Sequence, residues 1–110
     1  MRALVSTSML VFFSMGLASL AQAADVDKTI ELAKSAGCYT CHANAEKVVG
    51  PSFADIAAKY AGEKDAAASL AQSIQNGSRG KWGRVPMPPH PSLGAPDLKT
   101  LSEWVLTVKP

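Results

Sequence analysis

The chain has 110 residues, of which 47% are hydrophobic, and it carries 11 Lys and Arg against nine Asp and Glu. This length allows one small domain. The near balance of charge argues against a nucleic-acid binder, which would show a strong basic excess.

The N-terminal residues 1–23 have the pattern of a cleaved secretory signal peptide. Arg2 gives a positive start, an apolar stretch follows, and Ala21-Gln22-Ala23 is a small-residue cleavage signal. We therefore expect a mature domain of residues 24–110. An uncleaved anchor is the alternative, but the apolar run falls short of the ~20 residues that a membrane-spanning helix needs. No twin arginine is present, so the general secretory route to the periplasm is expected.

Periodic apolar residues behind the leader predict an all-α fold of helices and loops. The predicted helices span residues 25–35, 51–60, 65–76 and 97–108. Asp25 or Asp27 is expected to cap the first helix, and Gly37, Gly62 and Gly77 are stop signals after the first three. The predicted inward faces consist of apolar residues at helical spacing: Val26, Ile30, Ala33, Phe53, Ile56, Ala57, Leu70, Ile74, Leu98, Leu101, Val105 and Val108. Trp104 lies beside the last stripe and is interpreted as core packing.

The segment Cys38-Tyr39-Thr40-Cys41-His42 is the most informative part of the chain. Two thiols three positions apart can each add across a vinyl group of one haem, and the next histidine is then held under the porphyrin. The sequence therefore predicts one covalently attached haem c, bound through Cys38 and Cys41. His42 is predicted to bind the iron from one face.

Three other uses of Cys-x-x-Cys remain open at this point. A thioredoxin-like dithiol needs a βαβ setting, for which the chain shows no buried β-branched runs. A zinc site needs four ligands, and the only Cys and His residues of the chain are Cys38, Cys41, His42 and His90. A disulfide across so small a loop would stabilise the fold little.

Met87 is the only methionine outside the predicted leader, and it lies in Val85-Pro86-Met87-Pro88-Pro89. The prolines restrict the backbone on both sides and keep Met87 out of a helix. Methionine commonly fills gaps in a core, but it is also the sulfur ligand that pairs with histidine on haem iron. We predict Met87 as the second axial ligand. His90 is the rival, and its simpler interpretation is a surface histidine beside prolines.

Taken together, these motifs resemble those of the small bacterial class I cytochromes c, of the cytochrome c-five-fifty-one type. The resemblance covers nearly all of residues 24–110. It rests on Gly37-Cys38-x-x-Cys41-His42, Val49-Gly50-Pro51, Asn76-Gly77-Ser78-x-Gly80-x-Trp82-Gly83, Pro86-Met87-Pro88-Pro89 and Leu101-x-x-Trp104-Val105-Leu106. The resemblance implies four to five short helices wrapped around one haem.

The resemblance also implies roles for two further residues. The Pro51 carbonyl is expected to accept a hydrogen bond from His42, which orients the ring, and the indole N–H of Trp82 is expected to point to a haem propionate. Two positions depart from the family pattern. Ser73 stands where an arginine near the propionates is common, and His90 stands where an asparagine often follows the Met-Pro-Pro run. Both departures bear on the reduction potential and its pH dependence.

The predicted function is that of a soluble periplasmic electron carrier, monomeric and not an enzyme. Its expected partners are redox protein donors and acceptors, with no nucleic acid and no stable membrane anchor. Two alternatives stay open: a subunit of a larger dehydrogenase or sulfur-oxidising complex, and a small haem enzyme or sensor with a displaceable sixth ligand. Lys47, Lys81 and Arg84 are candidates for a basic docking rim, or are ordinary solvated side chains.

Overall fold

The structure, a computed structural model, describes the backbone of residues 17–110 and the side chains of residues 25–110. This part of the chain contains four α-helices, one short 3-10 helix and no strand. In chain order they are α1 (Leu17–Ser35), the 3-10 helix (Cys38–Thr40), α2 (Phe53–Tyr60), α3 (Ala66–Asn76) and α4 (Ala95–Val105). The predicted all-α class is confirmed.

The first helix, α1, differs from its prediction in two respects. Asp25 and Asp27 lie inside it and do not cap it, and Thr29 Oγ1 donates to the Asp25 carbonyl at 2.8 Å. The reason is that the alanine-rich stretch before Asp25 favours helix and contains no stop signal. Val26 was expected to face inward and is 44% exposed, whereas Ala33 is fully buried. Val26 lies about 10 Å along the helix axis from Ala33 and therefore beyond the core.

The predicted leader falls mostly outside the described residues. Its expected boundary, between Ala23 and Ala24, lies within α1. The leader and its cleavage remain predictions.

Helices α2 and α3 agree with the sequence prediction to within two residues at each end. The Ser52 hydroxyl caps α2 by accepting from the Asp55 backbone N–H at 3.0 Å, which satisfies one of the N–H groups left over at a helix start. Asp65 is the N-cap residue of α3, although its side chain makes no capping bond. Gly77 ends α3 with a φ of 78°, a conformation that favours glycine.

The last helix, α4, begins and ends earlier than predicted. Pro96 lies in its first turn, where proline is well tolerated because the N–H it lacks has no helical partner there. The helix ends at Val105, and the Val108 N–H donates to the Val105 carbonyl at 3.1 Å in a following turn. Val108 lies outside the helix but still packs partly against the core.

The core forms where α4 packs against α1, α2 and α3. Its buried members come from all four helices: Ala33, Phe53, Ile56, Tyr60, Ala66, Leu70, Leu101, Trp104 and Val105. Trp104 packs edge-on against Phe53, with ring centres 5.1 Å apart. The interpretation of Trp104 as core packing is confirmed. Helix α4 is therefore the central support of the fold.

Two loops complete the described structure. Residues 41–52 link the 3-10 helix to α2 and contain an isolated bridge between His42 and Lys47. Residues 77–94 link α3 to α4 and contain a second bridge, between Ser78 and Met87. Within the described residues, no helix is long and apolar enough to cross a membrane.

Candidate haem site

One mainly apolar cavity lies between the helices and the two loops. Its walls include apolar side chains from α2, α3 and α4, among them Phe53, Ile56, Leu70, Leu101 and Val105. The same cavity is lined by Cys38, Cys41, His42, Pro51, Trp82 and Met87. The structure thus brings all six residues singled out in the sequence to one place.

The two cysteines are presented by a tight turn. Gly37 has a φ of 84° and leads into the 3-10 helix. The Cys38 carbonyl then accepts from the backbone N–H groups of Cys41, at 3.2 Å, and His42, at 3.0 Å. Both cysteines are half-buried and are not joined in a disulfide, and burial raises the pKa of the Cys38 thiol. The turn therefore holds two thiols and an imidazole on one short segment of the cavity wall.

The alternatives for this motif find no support among the described residues. No group of three or more His, Cys, Asp or Glu side chains in that part of the chain is placed to hold a metal ion. The two thiols are not joined, and the segment has no strand beside it that would form a βαβ unit.

The His42 ring is held from three sides. Its Nδ1 lies 2.7 Å from the Pro51 carbonyl oxygen. Because a carbonyl only accepts, Nδ1 carries the proton and Nε2 is left with the lone pair that can bind a metal. The ring also stacks on Phe53, with centres 5.1 Å apart. On its third side the backbone of Gly50 approaches so closely that a Cβ there would lie 2.7 Å from His42 Cε1.

Met87 is held on the cavity wall by backbone hydrogen bonds. Its N–H donates to the Ser78 carbonyl at 2.9 Å, and its carbonyl accepts from the Ser78 N–H at 3.1 Å. A Cβ on Gly77 would lie 2.7 Å from the Met87 carbonyl oxygen, so this close pairing requires glycine. His90 is anchored elsewhere, through its N–H to the Ile74 carbonyl at 2.9 Å, and is not among the described residues that line the cavity.

Trp82 forms another corner of the cavity, together with Ser73 and Lys81. Lys59 Nζ lies 4.3 Å from the centre of the Trp82 ring, a cation–π distance. Lys81 Nζ donates to Ser73 Oγ at 2.9 Å.

Sequence reasoning missed three parts of the site. Phe53 was predicted to pack in the core only, yet its ring also stacks on the His42 ring. Gly50 was noted as part of Val49-Gly50-Pro51, but its contact with His42 is not visible in the motif. Lys81 was considered only as a surface charge, and it lines the cavity.

An all-helical shell around one cavity, with Cys-x-x-Cys-His and a methionine on its walls, defines a small c-type haem protein. The chain belongs to the cytochrome c family, whose sequence pattern it matches over residues 26–109. The predicted family is therefore confirmed.

Comparison with individual proteins supports this assignment. The chain is 51% identical over 79 residues to cytochrome c-552 of Nitrosomonas europaea, covering 72% of this chain and 77% of that protein. It is 48% identical over 90 residues to cytochrome c-551 of Pseudomonas aeruginosa, covering 82% and 86%. The crystal structure of wild-type Nitrosomonas europaea cytochrome c552 superposes with a TM-score of 0.71 at 50% identity, covering 73% of this chain and 99% of that one.

The cavity fits the cofactor of this family. A porphyrin is flat and apolar over most of its surface, which suits the apolar walls, and two thiols and one imidazole lie on the same wall. The chain is a cytochrome c with one covalent haem c, and it functions in electron transfer. The expected fold and cofactor are confirmed.

Proposed function

We propose that this chain is a periplasmic shuttle that accepts and donates one electron at a time and catalyses no reaction of its own. The proposal depends on one observation, the convergence of Cys38, Cys41, His42 and Met87 on a single apolar cavity. Each residue then has a defined task. Cys38 and Cys41 form the two thioether bonds, while His42 and Met87 bind the iron.

The haem supplies the one-electron chemistry, and the protein sets its potential. The Pro51 carbonyl fixes the His42 ring and raises its basicity. Methionine opposite histidine raises the reduction potential. The Ser78 backbone bonds and the prolines around Met87 limit how far the thioether can move.

Filled axial positions account for the absence of catalysis in this proposal. An enzyme or sensor of oxygen, peroxide or a gas needs an open or displaceable position on the iron. Here the loop that carries Met87 is tied to Ser78 by two hydrogen bonds, which favours retention of the ligand. The iron would then change charge with little change of geometry.

Export to the periplasm is supported by the leader pattern of residues 1–23. Both cysteines are accounted for by the haem, so no odd thiol remains in an oxidising compartment. The proposed partners are redox proteins of that compartment, which bind the monomer briefly.

The proposed docking surface is the open edge of the cavity. Val49 and Val85 line the cavity and are 48% and 64% exposed. Val48 is 55% exposed beside them. Lys47 and Arg84 are exposed next to these valines in the chain. An apolar centre with a basic rim suits a partner with an acidic surface, and the rim would act mainly on the rate of encounter.

Covalent attachment is tested by denaturing electrophoresis of the exported protein in reductant. Haem should stay on the polypeptide, and replacing Cys38 and Cys41 with alanine should release it. Haem that extracts from the wild-type protein into acidified organic solvent would contradict the attachment.

The second axial ligand is tested by a matched pair of variants. Met87→Ala should abolish the weak far-red band of a sulfur–iron bond and lower the reduction potential. His90→Ala, three residues away, should leave that band in place. The reverse result would assign the ligand to His90.

A further inference from the structure

Two lysines meet at the Trp82 corner of the cavity. Lys81 Nζ donates to Ser73 Oγ at 2.9 Å, and Lys59 Nζ donates to the Lys81 carbonyl at 3.2 Å while lying over the Trp82 ring. Neither ammonium forms an ion pair with a carboxylate of the described residues, where the ion pairs are Lys34 with Glu31 and Lys99 with Glu103. The corner therefore carries a local excess of positive charge.

Lys81 has a special place among the residues that line the cavity. It is the only Lys, Arg, Asp or Glu among the lining residues of the described chain. Most of the other residues that line the cavity are apolar. A charged group is costly to place against apolar walls without a partner. The two carboxylates of a haem are therefore best accommodated where the cavity offers a cation and hydrogen-bond donors.

We infer that Lys81, oriented by the Ser73 hydroxyl, supplies the positive charge that neutralises a haem carboxylate at this corner. The 2.9 Å hydrogen bond joins the Lys81 ammonium to a residue eight positions earlier, on α3, and so keeps the positive charge at this corner of the cavity. Lys59 holds Trp82 from the outside by its cation–π contact. This inference assumes that the haem occupies the cavity as proposed above.

The expected consequence is electrostatic. Reduction adds one negative charge to the haem, so a nearby ammonium stabilises the ferrous state and raises the potential. Lys81 is solvent-exposed, which weakens its effect. For a charge about 10 Å from the iron, and an effective dielectric constant between those of a protein surface and water, Coulomb's law gives a change of about two- to tenfold in the reduction equilibrium when the charge is removed.

The experiment compares Lys81→Gln with Lys64→Gln in the haem-loaded protein. Both changes remove one exposed positive charge, but Lys64 lies between α2 and α3 and does not line the cavity. Reduction potentials are measured by optical titration at low and high salt. A double variant, Ser73→Lys with Lys81→Gln, returns a cation to the same corner from α3.

Lys81→Gln should lower the reduction potential. The corresponding equilibrium constant of reduction should fall about two- to tenfold, and the fall should be larger at low salt than at high salt. Lys64→Gln should lower it by clearly less, and the double variant should recover most of the loss. A shift no larger than that of Lys64→Gln, or one that Ser73→Lys leaves unchanged, would overturn the role of Lys81. The haem spectrum is recorded for every variant, because it reports whether the haem and its axial ligands are retained. The proposed function fails only if these are lost, whereas the role of Lys81 is judged from the reduction potential alone.

Discussion

The contact between Gly50 and the His42 ring makes Gly50→Ala a sensitive test of how the imidazole is held. An alanine Cβ would lie 2.7 Å from His42 Cε1 and 3.0 Å from Nδ1. Nonbonded carbon atoms are most stable about 3.5 to 4.0 Å apart. The ring or the loop must therefore shift by about 0.8 Å.

The cost of that shift can be worked out from the contacts of the ring. The Nδ1 to Pro51 hydrogen bond is 2.7 Å long, and a lengthening of this size would take it past the range of a good hydrogen bond. Its loss costs about 0.5–1.5 kcal/mol, and overpacking a filled site adds about 1–3 kcal/mol. We expect the free energy of unfolding to fall by about 1.5–4.5 kcal/mol, a large part of the ~5–15 kcal/mol typical of a small domain.

The assay is urea unfolding of the haem-loaded protein, with the reduction potential measured in parallel. With a slope of about 2 kcal/mol per molar urea, in the middle of the usual range, the midpoint should fall by about 1–2 M. The potential should rise, because an imidazole without its acceptor is a weaker electron donor to iron. Gly94→Ala is the matched control, since Gly94 has a φ of −74° and its Cβ would meet only Pro96 Cδ, at 3.7 Å. Equal midpoints for the two variants would show that the close approach of Gly50 to His42 does not matter to the stability of the fold.

Three further outcomes are expected. Leu101→Ala should lower the free energy of unfolding by about 2–5 kcal/mol in urea titrations, because Leu101 is 2% exposed in the core. The control Val48→Ala, at an exposed site, should change the free energy by less than about 0.5 kcal/mol. Equal losses in the two variants would contradict the described core. Ser52→Ala should cost about 0.5–2 kcal/mol in the same assay because it removes the α2 cap, and an unchanged midpoint would show that the cap contributes nothing. Changing Lys47 and Arg84 to glutamine should slow electron transfer with an acidic partner in low-salt stopped-flow measurements and leave the reduction potential nearly unchanged. A transfer rate that depends neither on these charges nor on salt would indicate apolar docking.

Much of the fold could be predicted from the sequence because its signals are local. Ser52 before Phe53, and Gly77 after Asn76, fix helix ends through nearest-neighbour chemistry. The start of α1 was predicted wrongly because a possible cap at Asp25 competes with helix-forming alanines before it. A cap residue favours a helix start but does not enforce one.

The candidate site was predictable in its chemistry but not in its geometry. Cys38, Cys41, His42 and Met87 were identified from motif spacing and from residue types. The pairing of Ser78 with Met87, the approach of Gly50 to His42 and the bond from Lys81 to Ser73 depend on how distant segments meet. Such contacts leave no periodic signal in the chain, so only the structure shows them.

The central claim is that His42 and Met87 together fill both axial positions of a haem used for electron transfer. It is tested most directly by an optical redox titration of the exported protein in the presence and absence of carbon monoxide. With both axial positions filled, we expect a reversible one-electron curve, a low-spin spectrum in both states, and no change when carbon monoxide is added. A high-spin ferrous spectrum that shifts at once with carbon monoxide would show that one axial position of the iron is open, and so that Met87 is not a bound ligand.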